Sequence, residues 1–126
     1  ANATRGDAGV AAYGLAGAAA DYEDGSLECA KRAHDAVYER LEAELALTHH
    51  VSTGYGRGPE GYDGMAVNVH LQTAIYGRDG DLISEAEIDV ERLVAATPAT
   101  AYLRTEDGVR ICAVPVYVTT GTRYVD

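Results

Sequence analysis

Four histidines are the side chains of this sequence best suited to acid–base chemistry: His34, His49, His50 and His70. The sequence contains no Gly-x-Ser-x-Gly, no His-Glu-x-x-His, no phosphate-binding loop and no Cys-x-x-Cys. His49 and His50 are adjacent, so on a strand they would point to opposite faces and only one could meet His70. With Cys29 and His34 a metal site is conceivable, but metal ligands usually have tighter spacing. The sequence therefore predicts a protein that is not an enzyme and has no metal or other cofactor.

Three further patterns have the residue types of a site but lack its context. Residues 54–58, Gly-Tyr-Gly-Arg-Gly, resemble a dinucleotide-binding glycine pattern, yet they follow no buried parallel strand and open no helix. Asp79 and Asp81 resemble the start of a calcium loop without its later glutamate. Asn2 begins an Asn-x-Thr glycosylation triplet, which matters only outside the cell. None of these patterns predicts a bound cofactor.

The segment with the most promising composition for binding is residues 53–64, which contain five glycines and a proline and are predicted to form a loop. At 12 residues it is long enough for functional loops to be common, although a flexible hairpin connection is the alternative. The C-terminal tail could likewise add a strand to a neighbouring molecule. Tyrosine and arginine are enriched at the energetic centres of protein interfaces. The candidate partner-binding residues are Tyr55, Arg57, Tyr62, Arg123 and Tyr124.

The two cysteines, Cys29 and Cys112, are too few to define a redox compartment. If they pair, the disulfide closes a loop of about 83 residues and contributes on the order of 4 kcal/mol in the chain-entropy model. If they stay reduced, they act as small buried apolar side chains. The sequence leaves both alternatives open.

Two helices are predicted in the first part of the chain, at residues 7–22 and 27–47. The first begins at Asp7, and its glycines each lower helix propensity by about 1 kcal/mol, so it needs a close neighbour. The second is amphipathic, and its apolar residues at helical spacing are Leu27, Ala30, Val37, Leu41 and Leu45.

The rest of the chain is predicted to form four strands, at residues 66–76, 82–90, 100–105 and 109–119. Glycine-containing turns connect the first two strands and the last two. Ser84 and Glu87 also fit a capping box, which makes a helix the alternative for the second strand. Pro115 cannot donate a hydrogen bond within a sheet, so it indicates an edge position or a bulge in the last strand.

The second predicted strand also determines how its acidic residues would be arranged. Residues of a strand alternate between the two faces of a sheet, so acidic side chains at every second position share one face. On this prediction a stripe of four like charges is expected, formed by Glu85, Glu87, Asp89 and Glu91.

Charge composition is the most informative global property of the chain. It carries 20 acidic residues against nine arginines and one lysine, Lys31, for a formal net charge of −10. In molar salt the Debye length falls to about 3 Å, so the repulsion within such a surface is largely screened. The composition therefore predicts a halophilic, haloarchaeal setting, and the alternative is an ordinary acidic domain from a high-GC organism. Because its arginines are scattered, direct nucleic-acid binding is not expected, and no run of about 18 apolar residues indicates membrane insertion.

Together these features predict one α+β domain over residues 1–126, with two N-terminal helices packed on a four-stranded, mainly antiparallel sheet. Residues 1–50 form the helical part, and residues 65–126 the sheet. With no Phe or Trp the core is thin, which favours a homo-oligomer or larger assembly. The expected function is a structural subunit such as a head-tail joining or tail protein of a virion. Alternatives are the head of a pilus-like or cell-surface protein, or a small-molecule or metal-binding accessory domain. The expected location is the virion or cell surface, with the cytoplasm left open.

Overall fold

The fold is a mixed β-sheet with one long helix packed on it. The computed structural model describes residues 22–23, 26–59, 64–104, 108 and 111–126, with the backbone alone at residues 22–23. Two helices are present in these ranges, α1 (Leu27–Leu45) and α2 (Val90–Ala96). The strands are β1 (Tyr22–Glu23), β2 (Val51–Arg57), β3 (Met65–Tyr76), β4 (Leu82–Glu85), β5 (Thr100–Arg104) and β6 (Ile111–Tyr124).

Two long strands, β3 and β6, form the centre of the sheet and run parallel to each other. The other edge of β3 is shared by β2 and β4, both antiparallel to it. The first residues of β6 pair with β5 in an antiparallel hairpin, and two of them also pair with β1 in parallel. The chain reaches β6 from β3 through β4, α2 and β5, which is the kind of long connection that parallel neighbours require.

The prediction of two N-terminal helices on a four-stranded antiparallel sheet is wrong. The structure has one long helix, α1, followed by the five longer strands of a mixed sheet, and the two-residue β1 extends this sheet. The second helix, α2, follows β4. The helix predicted at residues 7–22 lies outside the described residues except for its last position. Tyr22 itself is paired with Ile111 in a strand. The fold is therefore sheet-rich α+β.

Helix α1 forms close to its predicted position because its cap and its apolar spacing agree. Ser26 caps the helix, its hydroxyl oxygen accepting a hydrogen bond from the Cys29 backbone N–H at 3.1 Å. Leu27, however, is 59% exposed and does not belong to the core face. The buried face consists of Cys29, Ala30, Ala33, Val37, Leu41 and Leu45.

The core lies between this face of α1 and one face of the sheet. Side chains at alternate positions of the two central strands point toward the helix, as strand geometry requires. They are joined by Ala101 of β5, by Leu93 of α2 and by Ile88 just before α2. The buried residues that the central strands contribute are Val67, Val69, Leu71, Cys112, Val114 and Val116.

The segment predicted as a glycine-rich loop is shorter than expected. Residues 53–57 belong to β2, where every residue has a partner in β3, from Val51 opposite Leu71 to Arg57 opposite Met65. Glycine contributes no side chain to an alternating pattern, so the sequence did not show this strand. What remains of the predicted loop is residues 58–64, of which residues 60–63 lie outside the described part of the chain.

The strand predicted at residues 82–90 is correct only for β4, which ends at Glu85. The Asp89 side chain accepts a hydrogen bond from the Arg92 backbone N–H at 2.7 Å and begins α2. The capping box suggested at Ser84 would have started the helix five positions too early. The acidic stripe expected on one strand face is therefore wrong as well, since Asp89 is a helix cap and Glu91 is helical.

Pro115 lies within a central strand, but at this residue the described strands pair with β6 on one side only. It is paired with Thr100 as the last residue of β6 beside β5, and Val116 is the first residue paired with β3, opposite Val67. The position is thus locally edge-like, which suits a residue that has no backbone N–H to donate. The proline marks the junction between the two halves of β6.

A disulfide joins Cys29 of α1 to Cys112 of β6, with a Cα–Cα distance of 5.5 Å. Both cysteines are buried in the core. The covalent bond thus fixes the first turn of the helix to the central strand, across 83 residues of sequence.

Candidate functional site

Strand β2 forms an edge of the sheet. It is paired with β3 along all seven of its residues, and within the described ranges no strand pairs with its other side. Natural edge strands are usually protected from new partners by lysine, proline, bulges or charges that point inward. The sequence of β2, Val-Ser-Thr-Gly-Tyr-Gly-Arg, has no lysine, proline or carboxylate. This edge is therefore open to an additional strand.

The hydrogen bonds at the two ends of β2 show which backbone groups point toward the open side. The Gln72 N–H donates to the His50 carbonyl, and the Gly58 N–H donates to the Gly64 carbonyl. In an antiparallel ladder, hydrogen-bonded residues alternate with residues whose backbone groups point away from the partner strand. The even-numbered residues of β2 therefore bond to β3. Thr53 and Tyr55 direct their N–H and C=O groups to the open side.

Four side chains from α1 and β2 meet beside this edge, and we call them the edge cluster: His34, Tyr38, Thr53 and Tyr55. His34 Nε2 lies 2.9 Å from Thr53 Oγ1. The His34 ring contacts the Tyr55 ring with centroids 5.4 Å apart, and the Tyr38 ring with centroids 6.3 Å apart. Both tyrosines keep an exposed surface, 42% for Tyr38 and 40% for Tyr55. The cluster thus presents two partly exposed aromatic rings, already held in place, next to unpaired backbone.

The hydrogen bonds of His34 resemble a carboxylate–imidazole–hydroxyl relay. His34 Nδ1 is 3.1 Å from Asp35 Oδ1, and Nε2 contacts the Thr53 hydroxyl. Asp35 is 65% exposed, and water competes for a carboxylate in that position. The direct structural effect of these contacts is to hold the flank of α1 against β2, which orients Tyr55. We therefore interpret His34 as a positioning residue for the aromatic surface.

His50 connects β2 with β4. Its ring is 2% exposed, with Nδ1 2.8 Å from the Gln72 carbonyl and Nε2 2.7 Å from Ser84 Oγ. A carbonyl can only accept, so the Nδ1–H donates to it, and Nε2 forms the second hydrogen bond of the ring with the Ser84 hydroxyl. The ring therefore fills the gap between two strands that share one edge of β3, and both of its nitrogens are used for that purpose.

The histidines and cysteines that suggested a metal site do not form one. Cys29 is in the disulfide, His50 bridges two strands, and His70 Nδ1 contacts Thr119 Oγ1 at 2.8 Å. The His49 and His50 rings contact each other, with centroids 4.4 Å apart. In the part of the chain that the structure describes, no group of three His, Cys, Asp or Glu side chains is arranged to hold a metal ion.

The structure does not bring the predicted partner-binding residues together. Tyr55 and Arg57 lie on β2, opposite the beginning of β3, whereas Arg123 and Tyr124 lie opposite its end. Eight residues of β3 separate the two groups, which corresponds to roughly 26 Å. Tyr62 lies outside the described residues.

Tyr124 belongs to a second aromatic contact. Its ring stacks on the Tyr76 ring with centroids 5.4 Å apart, and it is the most exposed large hydrophobic side chain of the described residues. Tyr76 is also paired with Leu82 of β4, which is exposed. This end of the sheet carries no edge-cluster residue.

Sequence reasoning considered His34 only for acid–base chemistry and metal binding, and it did not place His34 or Tyr38 beside β2. The available signal was their spacing of four on an amphipathic helix, which places two planar side chains on one face. The contact of His34 with Tyr55 depends on how α1 packs against β2, and the sequence has no pattern for that.

None of the helices in the described ranges is both long and apolar enough to cross a membrane. No protein-family model, curated protein or solved structure is significantly similar to this chain.

Proposed function

We propose that this chain is a non-catalytic structural subunit that assembles with protein partners by strand addition at β2. The observation that carries the proposal is the outer side of β2, along which none of the described strands pairs. Thr53 and Tyr55 direct their backbone groups to this side, and the edge cluster lies beside it. In strand addition the backbone hydrogen bonds supply affinity, and side-chain contacts next to the edge supply specificity. Tyrosines that are already oriented cost little conformational entropy when a partner binds.

The setting we propose is a halophilic one, at the virion or cell surface of a haloarchaeal system. Its support is the charge of −10 with one lysine, together with the disulfide, since disulfides persist mainly in oxidising surroundings. A head-tail joining or tail protein of a virion is the specific function we favour. A subunit of that kind needs exposed edges that its neighbours complete.

Substitution of Tyr55 by lysine tests the role of the edge. We expect the wild-type protein in about 3 M KCl to have the mass of a discrete assembly in size-exclusion chromatography with light scattering. Tyr55→Lys should weaken assembly at least tenfold, because it removes an aromatic contact and places a charge of the kind that protects edge strands.

Val94→Lys is the matched control for this experiment. Val94 is 37% exposed on α2, close to the exposure of Tyr55, and the substitution makes the same change of charge away from the edge. It should leave the assembly mass unchanged. A wild-type protein that is monomeric in concentrated salt, or equal effects of the two lysines, would contradict the proposed function.

Salt dependence tests the proposed setting. Lowering KCl from about 1 M to 0.1 M lengthens the Debye length from about 3 Å to about 10 Å, so repulsion among the excess carboxylates increases. We expect a loss of roughly 1–2 kcal/mol in unfolding free energy, which corresponds to a fall of about 4–8 °C in the thermal midpoint. Circular dichroism at several salt concentrations measures it. A midpoint independent of salt would refute the halophilic setting.

A further inference from the structure

The open edge of β2 is complementary to itself. A new antiparallel strand forms its hydrogen-bonded pairs only between residues that both direct their backbone groups to the shared edge. Thr53 and Tyr55 are such residues, and they lie on either side of Gly54. A two-fold axis beside Gly54 therefore places Thr53 of one copy opposite Tyr55 of a second copy, with about four backbone hydrogen bonds from the two equivalent pairs.

Only one such arrangement uses the whole strand. With the axis beside Gly54, each of the seven residues of β2 lies opposite a residue of the second copy, with Val51 opposite Arg57. The Val51 N–H already donates to the Thr48 carbonyl and the Arg57 carbonyl accepts from the Asn68 side chain, so the new backbone hydrogen bonds come from the Thr53–Tyr55 pairs. An axis beside Thr53 or beside Tyr55 keeps the correct backbone alternation but leaves two residues of each strand without a partner. The register centred on Gly54 is consequently the most extensive.

Charge is compatible with the same arrangement. Among the residues of β2 the only charged side chain is Arg57. In the Gly54-centred register Arg57 lies opposite Val51 of the second copy, so the two arginines are at opposite ends of the paired strands. No carboxylate lies on either strand, and no like charges face each other across the join.

Glycine makes a close approach possible on the opposite face. A Cβ atom placed on Gly54 would meet no atom within 4 Å, so the space above the strand is free. In the two-fold arrangement Gly54 faces Gly54 of the second copy in a non-hydrogen-bonded pair, where Cα atoms approach to about 4.5 Å. At this position the two strands can meet without steric conflict between side chains.

From these observations we infer that β2 pairs with β2 of a second copy of this chain, antiparallel, around a two-fold axis beside Gly54. The inference rests on the proposed function and names the partner and the register. The resulting dimer has one continuous sheet that crosses the interface, and the tyrosines of both edge clusters lie along the join.

Cysteine cross-linking tests the register. In Gly54→Cys the new thiols face each other across the axis at a separation that a disulfide can span. Gly54 does not have a positive φ, so a cysteine fits its backbone conformation. After mild oxidation in about 3 M KCl, we expect most of the protein to run as a covalent dimer in a non-reducing gel. Peptide mapping should identify a bond between residue 54 of each copy. Ser52→Cys is the control, because Ser52 faces Gly56 and not itself, and it should remain uncross-linked.

The possible results separate this inference from the proposed function. If the wild-type protein assembles while folded Gly54→Cys forms no cross-link, another surface mediates assembly, and only the inference is wrong. Equal cross-linking of Gly54→Cys and Ser52→Cys indicates random collision and also overturns the inference alone. A wild-type protein that stays monomeric removes both proposals.

Discussion

Replacing both cysteines by alanine is expected to lower the unfolding free energy by about 4–5 kcal/mol. The bond between Cys29 and Cys112 closes a loop with a sequence separation of 83, and long loops lose the most chain entropy when they are cross-linked. A single domain is stabilised by only about 5–15 kcal/mol in total, so this is a large fraction. Urea unfolding of the wild-type and Cys29→Ala/Cys112→Ala proteins in equal salt measures the difference.

Reduction of the wild-type protein provides the control for that experiment. A reductant should shift the wild-type urea midpoint close to that of the double variant and leave the variant unchanged. If the reductant leaves the wild-type midpoint where it was, the two cysteines do not stabilise the fold as a pair.

The second large effect is expected in the core. Leu41 is fully buried on the inner face of α1, and truncation of a buried leucine costs about 2–5 kcal/mol through lost burial and the cavity that remains. Leu41→Ala should therefore lower the thermal midpoint by at least about 8 °C. Differential scanning calorimetry gives the midpoint and the enthalpy together.

Leu27→Ala in the same helix is the matched control. The chemical change and the gain in helix propensity are the same, but Leu27 is 59% exposed, so the expected change is within about 0.5 kcal/mol. If Leu41→Ala and Leu27→Ala lowered the unfolding free energy by similar amounts, α1 would pack through a different face from the one described.

Local patterns predicted the elements that have a clear period. Helix α1 and strand β3 lie within two residues of their predicted ranges, because an amphipathic period of 3.6 and a strict alternation each identify one structure. The turn at residues 77–80 was also predicted correctly, and Gly80 adopts the positive φ, 89°, that its position requires.

The sequence has no comparable pattern that predicts which distant segments pair or pack together. The parallel pairing of β3 with β6 joins residues about fifty positions apart, and nothing in either strand specifies its neighbour. In β2, Gly54 and Gly56 removed the alternation that would have shown a strand. The edge cluster was missed for the related reason that His34 and Tyr55 meet only once α1 has packed on the sheet.

The arrangement of β6 has a consequence for how the molecule folds. The β2–β3 hairpin consists of local contacts and can form as soon as residue 76 has emerged from the ribosome. The parallel neighbour of β3, however, is β6, which follows it by about fifty residues, and their pairing must close a long loop against chain entropy. Until then β3 has a hydrophobic edge without its final partner. A chaperone that shields that edge would therefore have more influence on the yield of native protein than the intrinsic speed of the hairpin.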